Sequence, residues 1–516
     1  MSLLLPSLQA ERIRRSIVDY LSTNFALTDA EPRRALADFL QDPEQGIFVG
    51  PYVRLRLPYL PASARSDALD WDPGLAPYRH QADAYRRLTT KGGHRPEPTI
   101  VTTGTGSGKT EAFLHPVIDH VLRARAQGIT GIKALILYPM NALAADQAAR
   151  LARLLATDPA LAGVTAGLYT GDTAQDHSRV TADSLITNRQ QLRKSPPDIL
   201  LTNYKMLDQL LLRPEDRELW RASAASLTYL VLDEFHTYDG AQGTDVAMLL
   251  RRLGLALRDL LPDDDPRRQA FDASPLGPVC PVATSATLGD GGDPSRMLAF
   301  ARDVFGVDMP ADAVVLETRA DLEQWAASRR AAVPAGALGD PIHLRNLTAP
   351  ALQALAGLAH AGSPDPAGLL AHVVAALYRR PDAVGTPDDA ALAAPGSPLI
   401  AAADPVDPAD PVDPTEALPD APVLAAALHS HPDVVELIRA AEHATALSDL
   451  AYRLFGPAAD PETARLALAT ILAALSTIRA GLDGNPDRGA VGVEVTMWIR
   501  EVTRIDRALD TRPAFR

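Results

Sequence analysis

Nine residues, Thr102-Thr103-Gly104-Thr105-Gly106-Ser107-Gly108-Lys109-Thr110, restrict the fold of this chain more than any other stretch. They follow a β-branched run, Thr99-Ile100-Val101, and precede an apolar-periodic segment from Ala112 to Leu122. That order is strand, glycine loop, helix. Three glycines let the backbone curl so that successive N–H groups converge, and the helix start adds the positive end of a dipole. Such a nest holds phosphate oxygens. Lys109 is placed to reach the β- and γ-phosphates, and the Thr110 hydroxyl to ligate Mg²⁺. Thr103 stands where the general pattern has glycine. The plain alternative is a glycine-rich surface turn; the strand-loop-helix context favours a nucleotide.

The rest of the segment repeats one grammar. Lys133–Tyr138 runs into Pro139-Met140-Asn141-Ala142-Leu143, and Val164–Tyr169 into Thr170-Gly171-Asp172. Pro197–Leu201 runs into Thr202-Asn203, Leu227–Leu232 into Asp233-Glu234-Phe235-His236, and Val279–Thr284 into Ser285-Ala286-Thr287. Buried strands that end in polar or small residues and feed helices predict a doubly wound parallel α/β sheet, with the site at the strands' carboxyl ends. Asp233 after its hydrophobic strand is placed to hold Mg²⁺, and Glu234 to orient the attacking water. A lone acidic pair is normally a solvated strand end; following a phosphate loop at this distance, it reads as that loop's partner. His236 could couple the phosphate site to Ser285 and Thr287. Gln81, one short helix ahead of the loop, offers an amide donor and acceptor for adenine.

Taken together, Gln81, Gly104–Thr110, Pro139–Leu143, Thr170–Asp172, Thr202-Asn203, Asp233–His236 and Ser285–Thr287 resemble the DExH-box helicases of superfamily 2. The phrases LYPMNALAADQ, LTNYKMLDQLLLRPED and LVLDEFHTYDGAQGTDVAMLLRRL are more narrowly similar to the YprA/MrfA-type bacterial helicases. They are also similar to helicases of anti-phage systems such as Druantia and DISARM. The resemblance implies a RecA-like fold and an ATP-driven motor on nucleic acid, DNA ahead of RNA. It implies catalytic roles for Lys109, Asp233, Glu234 and His236, with Mg²⁺ on Thr110 and Asp233. ATP is then held by Gln81, Thr103, Gly104, Thr105, Gly106, Ser107, Gly108, Lys109 and Thr110. Ser285, Ala286 and Thr287 are expected to couple nucleotide state to domain closure. Pro139, Asn141, Thr170, Gly171, Thr202 and Asn203 are expected to touch a sugar-phosphate backbone, which main-chain amides, hydroxyls and side-chain amides bind without reading sequence.

Motors of this family use a second RecA-like domain that supplies arginine fingers from a Gln-x-x-Gly-Arg-x-Gly-Arg segment, and no such segment occurs here. The expectation is half a motor, completed by a partner chain or a missing segment, with weak ATP turnover by itself. A non-catalytic scaffold subunit and an RNA helicase are the rival readings. A small-molecule kinase fits poorly, because such kinases do not carry this ordered series of strand-end motifs. Net charge is −14, so any nucleic-acid contact must come from a local basic strip. The single cysteine, Cys280, forms no internal disulfide, and no run of 18 apolar residues is seen; cytoplasm without a membrane span is the expectation.

Five regions are expected. Residues 1–75 are an accessory region with two helices and a short strand, and 76–310 the RecA-like domain. Residues 311–380 are helical. Residues 381–422, with ten prolines, nine acidic residues and no Lys or Arg, read as an extended linker. In residues 423–516, three helices and the strand 492–499 suggest a winged-helix-like module. Its third helix carries only Arg465 and Arg479, a weak DNA reader, and Arg500, Arg504, Arg507, Arg512 and Arg516 form a basic tail.

Overall fold

The structure is a computed structural model. It describes residues 5–24, 28–42, 45–62, 67–104, 106–171, 176–286, 293–359, 365–379, 419–481, 486–500, 507–508 and 514–515. The chain divides into two units, Tyr59–Thr318 and Met1–Pro58 together with Arg319–Arg516. Its main strands are β1 (Phe48–Arg56), β2 (Thr99–Thr102), β3 (Ala134–Tyr138), β4 (Ala166–Tyr169) and β5 (Ile199–Asn203). They continue with β6 (Tyr229–Leu232), β7 (Cys280–Ser285), β8 (Val314–Leu316), β9 (Thr445–Ala446) and β10 (Gly492–Ile499).

Strands β2 to β8 form one seven-stranded sheet in the order β4-β5-β3-β6-β7-β2-β8. Every pairing in it is parallel. Parallel strands are covered on both faces and so read as unbroken apolar runs. β2, β3, β4, β6 and β7 are buried at every residue. Alternation then sorts the side chains into two layers. Leu135, Leu137, Leu200, Leu230 and Leu232 pack on one face; Ile136, Tyr138, Leu201, Tyr229 and Val231 pack on the other. The helices between strands cover both faces, which is the RecA-like arrangement.

At the amino ends of three strands lies a buried ionic knot. Asp198, just before β5, accepts from Lys133 Nζ at 2.8 Å and from Arg125 Nη1 at 3.0 Å. It also accepts from the main-chain N–H and the hydroxyl of Thr165, both at 2.8 Å. Lys133 precedes β3 and Thr165 precedes β4, so one carboxylate ties three neighbouring strands in register.

The helix Lys109–Ala126 carries two histidines, His115 buried and His120 half-buried. His115 Nδ1 lies 2.7 Å from the Tyr85 hydroxyl, and His120 Nδ1 lies 2.9 Å from Thr90 Oγ1. Burial pushes both pKa values down to about 4; Arg123 and Lys133 add to the effect on His120, and Glu111 opposes it on His115. A histidine at its ordinary value of about 6.5 when unfolded takes up its proton first in the unfolded chain. The stabilising contribution is therefore complete above pH 6.5 and is lost as pH falls toward 4. Between pH 7 and pH 5 each site is expected to lose about 2 kcal/mol. Urea unfolding at the two pH values, on wild type and on the double glutamine variant, measures this; equal pH dependence in both would remove the assignment.

In the other unit β1 pairs antiparallel with β10 along most of its length, Phe48 facing Ile499 and Arg56 facing Gly492, and with β9 on its second edge. Against this small sheet a mostly helical core gathers, with Val53 and Leu55 of β1 in it and the helix Pro461–Ala480 buried along most of its length. This changes the expected boundaries. The region 1–75 is not a separate accessory piece: its strand is completed by the strand 492–499. Residues 59–75 fall in the sheet-bearing unit. So does the run from Ala313 to Glu317, expected in a helical region, because β8 pairs with β2 as the seventh strand. The helix Ala421–Ser430 begins where the linker was expected to end; residues 381–418 lie outside the described residues.

The helices Pro432–Ala440, Leu447–Phe455 and Pro461–Ala480 and the strand β10 lie where a winged-helix-like module was expected, but β9 and β10 flank β1 on opposite edges and do not pair with each other. The third of these helices presents no basic face, since Arg465 is paired with Glu11 and Glu462 and Arg479 donates to Asp487 O and Ala490 O. The same helix is long and apolar enough by composition to cross a membrane. It was not expected to be, because its few polar residues break the apolar run; 78% of the window is buried within the structure, as in a core helix. Arg500 donates from its main chain to Ile47 O and from its side chain to Gly46 O. The rest of the basic tail, Arg504, Arg512 and Arg516, lies outside the described residues, as do the side-chain surroundings of Arg507.

Candidate nucleotide site and strand-end cluster

Sheet order decides which motifs meet. β6 and β2 flank β7, so Asp233-Glu234 after β6, Ser285-Ala286 after β7 and the glycine loop after β2 lie side by side at one edge. Neighbouring strands stand about 4.8 Å apart. A side chain the length of lysine bridges the two-strand gap, and Lys109 Nζ lies 3.6 Å from Glu234 Oε1. Gly106 and Gly108 take φ of +76° and +77°, the left-handed region that favours glycine. A Cβ at Gly108 would come within 2.2 Å of Gln81 Nε2, so a side chain there would push that amide off the Gly108 carbonyl. Thr103 Oγ1 and Ser107 Oγ meet at 2.6 Å and brace the loop from within; His80 Nε2 meets Ser107 O at 2.9 Å from outside.

Asp233 is buried, and Thr284 Oγ1 donates to its carboxylate. Burial pushes its pKa up; the Thr284 hydrogen bond opposes this, the Glu234 charge adds to it, and Lys109 counts against it. A buried carboxylate that resists ionisation is one that a divalent cation would stabilise. Asp233 and the half-buried Thr110 therefore fit a magnesium site by donor type. Glu234 is the only non-glycine residue with positive φ among those described, at +51°. Such strain is held only where the surroundings over-determine it. Here Glu234 N–H donates to Thr284 Oγ1 at 3.2 Å, while Glu234 O accepts from Thr237 N–H at 2.9 Å and from its hydroxyl at 2.7 Å. His236 Nδ1 lies 3.4 Å from both Glu234 Oε2 and Ser285 Oγ, a bridge between the acidic pair and the end of β7.

The other half of the same edge gathers the residues expected at nucleic acid. Pro139 and Asn141 follow β3, Thr170 and Gly171 follow β4, and Thr202 and Asn203 end β5. Asn203 Nδ2 donates to Asn141 Oδ1 at 2.5 Å, and Asn203 Oδ1 caps the next helix by accepting from Met206 N–H at 2.7 Å. Gly171 is exposed; Pro139, Asn141 and Asn203 are partly so.

Some expectations change. Thr202 is fully buried and its hydroxyl donates to Tyr169 O at 2.5 Å, so it secures the β4–β5 pair instead of facing a ligand. The Thr170 side chain is likewise buried. Gln81 Oε1 accepts from Tyr78 N–H at 2.9 Å and Nε2 donates to Gly108 O at 3.1 Å. Its amide joins a helix start to the glycine loop, with one further donor and one acceptor position left over. Along the helix Gly240–Leu260, Arg251 donates to Ala247 O and Asp303 O, Arg252 pairs with Asp208, and Arg258 Nε pairs with Asp272 at 2.6 Å. These arginines are a self-paired face. Thr105, Asp172 and Thr287 lie outside the described residues.

Thr284 went unread in the sequence although it holds both acidic residues. The signal was the register: Val231 pairs with Val282 and Leu232 with Ala283, which sets Thr284 beside Asp233. Glu317, whose Oε2 accepts from Gly104 N–H at 2.7 Å, was also missed, because β8 was not read as a strand of this sheet.

Residues 78–290 match the DEAD/DEAH box helicase family. The Druantia protein DruE of Escherichia coli is 28% identical over 355 residues, half of this chain and 18% of that protein. The ATP-dependent helicase hrq1 of Schizosaccharomyces pombe is 32% identical over 176 residues, 34% of this chain and 14% of that one. The uncharacterized ATP-dependent helicase YprA of Bacillus subtilis is also 32% identical over 176 residues, covering 20% of its length. The chain thus spans a fifth or less of the length of these curated relatives. Among solved structures, the helicase MrfA bound to DNA and AMPPNP aligns over 55% of this chain and 33% of its own, with 24% identity and a TM-score of 0.38.

Proposed function

We propose, on the premise that residues 78–290 are a DEAD/DEAH box helicase domain, that this chain is the ATP-binding half of a DNA helicase or translocase. The observation that carries the reading is Lys109 Nζ lying 3.6 Å from Glu234 Oε1, with His236 and Ser285 alongside. Magnesium bound with ATP would neutralise phosphate charge as the terminal phosphoryl group leaves. The chain's own residues do the rest. The glycine loop supplies converging amides, and Lys109 supplies a fixed positive charge. Thr110 and Asp233 supply oxygen ligands. Glu234, held in one strained backbone geometry, orients a water and accepts its proton. His236 and Ser285 carry a change at Glu234 to the end of β7. Gln81 retains one donor and one acceptor for adenine.

DNA ahead of RNA rests on the resemblance of LYPMNALAADQ, LTNYKMLDQLLLRPED and LVLDEFHTYDGAQGTDVAMLLRRL to the YprA/MrfA-type helicases. A defence role is favoured by the Druantia relative. We place the second RecA-like domain on a partner chain or a further segment; the described residues hold one parallel sheet. A phosphate-transfer site lacking its arginine finger runs about 10³–10⁵-fold slower.

ATP hydrolysis by the full chain, with and without single-stranded DNA and a matched RNA at fixed salt, tests this. Slow turnover stimulated by DNA more than by RNA is expected. Stronger stimulation by RNA would move the reading to an RNA helicase. Tight nucleotide binding with no hydrolysis, even in single turnover with candidate partners, would move it to a scaffold subunit.

A further inference from the structure

The geometry points to Glu317 as a positioning residue for the phosphate loop, a role that rests on reading that loop as a nucleotide site. β2 lies between β7 and β8, so its main-chain amides face the two neighbours alternately. The alternation continues one step past the strand. Thr103 N–H donates to Ser285 O at 3.2 Å, on the β7 side. The next amide, that of Gly104, faces the β8 side, where main-chain pairing has already ended at Thr102 and Leu316. The acceptor it meets is Oε2 of Glu317, the first residue past β8, at 2.7 Å.

A side-chain carboxylate thus stands where the ladder would have put a main-chain oxygen. This fixes the residue at which strand becomes loop. Two residues later Gly106 has turned into the left-handed region and the chain has left the sheet. The contact is short and charge-assisted, the stronger class of hydrogen bond. A loop whose entry is anchored on both sides, Thr103 by Ser285 O and Gly104 by Glu317, enters the bound arrangement with less ordering left to do. Without the Glu317 anchor, that ordering is subtracted from affinity.

In the full chain with Mg²⁺, Glu317→Ala is expected to weaken binding of a fluorescent non-hydrolysable ATP analogue about tenfold, the equivalent of one charge-assisted hydrogen bond. Glu317→Gln keeps an acceptor oxygen and is expected to stay within about threefold of wild type. In steady state the change should fall on KM and leave kcat nearly unaltered, at a temperature where circular dichroism shows every variant folded. A residue with a general structural role would lower the melting temperature without this split. If Glu317→Ala does not fold, Glu317→Asp, one methylene short of Gly104, takes its place with the same expected loss. Unchanged or tighter binding by the alanine variant overturns the proposal, the tighter result making Glu317 a competitor of phosphate. A glutamine variant as weak as alanine also overturns it. Lys109→Ala, run alongside, separates the two readings. If it binds normally, the nucleotide site itself is wrong. If it loses binding while Glu317→Ala does not, only the role of Glu317 falls.

Discussion

Replacing Lys109 by alanine should lower ATP hydrolysis by at least about 100-fold, the scale on which a single fixed donor to developing charge acts. Lys109 Nζ lies 3.6 Å from Glu234 Oε1, with no shorter ion pair to the lysine among the described residues. Removing the ammonium leaves Glu234 and the buried Asp233 without their nearest positive charge. Two carboxylates then face an anionic ligand with nothing to offset them. Glu234→Gln separates the binding half of this argument from the chemical half. It should retain nucleotide while losing turnover to a similar degree, because the amide still packs but no longer accepts a proton. Both variants should melt within a few degrees of wild type, since neither side chain belongs to the apolar layers. The measurements are steady-state hydrolysis and equilibrium binding of a non-hydrolysable analogue. Hydrolysis within fivefold of wild type in Lys109→Ala would end the assignment of this edge as the reacting centre.

The second large effect is on stability, at the opposite edge of the same sheet. Asp198→Ala should destabilise the sheet-bearing unit by about 3–5 kcal/mol, the usual result of removing one partner of a buried pair. Lys133 is almost wholly buried and would lose its carboxylate partner at 2.8 Å. Thr165 would lose the acceptor for two donors at once. A loss of that size is a large fraction of the 5–15 kcal/mol that holds a typical domain. Replacing Lys133 and Asp198 together by apolar residues of similar volume should cost less than the single change, because no buried ammonium is then stranded; the Thr165 donors still lose their acceptor, while the partly exposed Arg125 turns to solvent. Urea unfolding of the single and double variants checks both statements; a single-variant loss below about 1 kcal/mol would show that water reaches the knot.

The sheet-bearing unit was largely legible in the sequence, and the reason is local. Buried parallel strands such as Ala134–Tyr138 and Tyr229–Leu232 are continuous apolar runs, and each ends abruptly in polar residues. Those endings meet along one edge of the sheet, so finding the strands also found the candidate site. What could not be read was register and sequence-distant pairing. Thr284 is one residue ahead of a noticed motif, and only the alignment of β6 with β7 reveals that it holds Asp233 and Glu234. Val314–Leu316 is three residues long, too short for any periodicity, and it became a strand only because β2 had an open edge. Thr202 carries a hydroxyl at a strand end, and a sequence does not say whether that hydroxyl turns to solvent or to the Tyr169 carbonyl. Gln81 illustrates the same limit, since its amide already serves a helix start and the Gly108 carbonyl.

The pairing of β1 with β10 has a consequence for synthesis. The two strands are separated by about 440 residues, with the entire sheet-bearing unit threaded between them. At ribosomal rates of roughly 5–20 residues per second, β1 leaves the exit tunnel about 20 to 90 seconds before its mate exists. The intervening unit has all of its strands by then and is free to fold while the amino-terminal strand waits with an unpaired edge. Pulse proteolysis of stalled nascent chains should therefore find the glycine-loop unit protected well before the first fifty residues are.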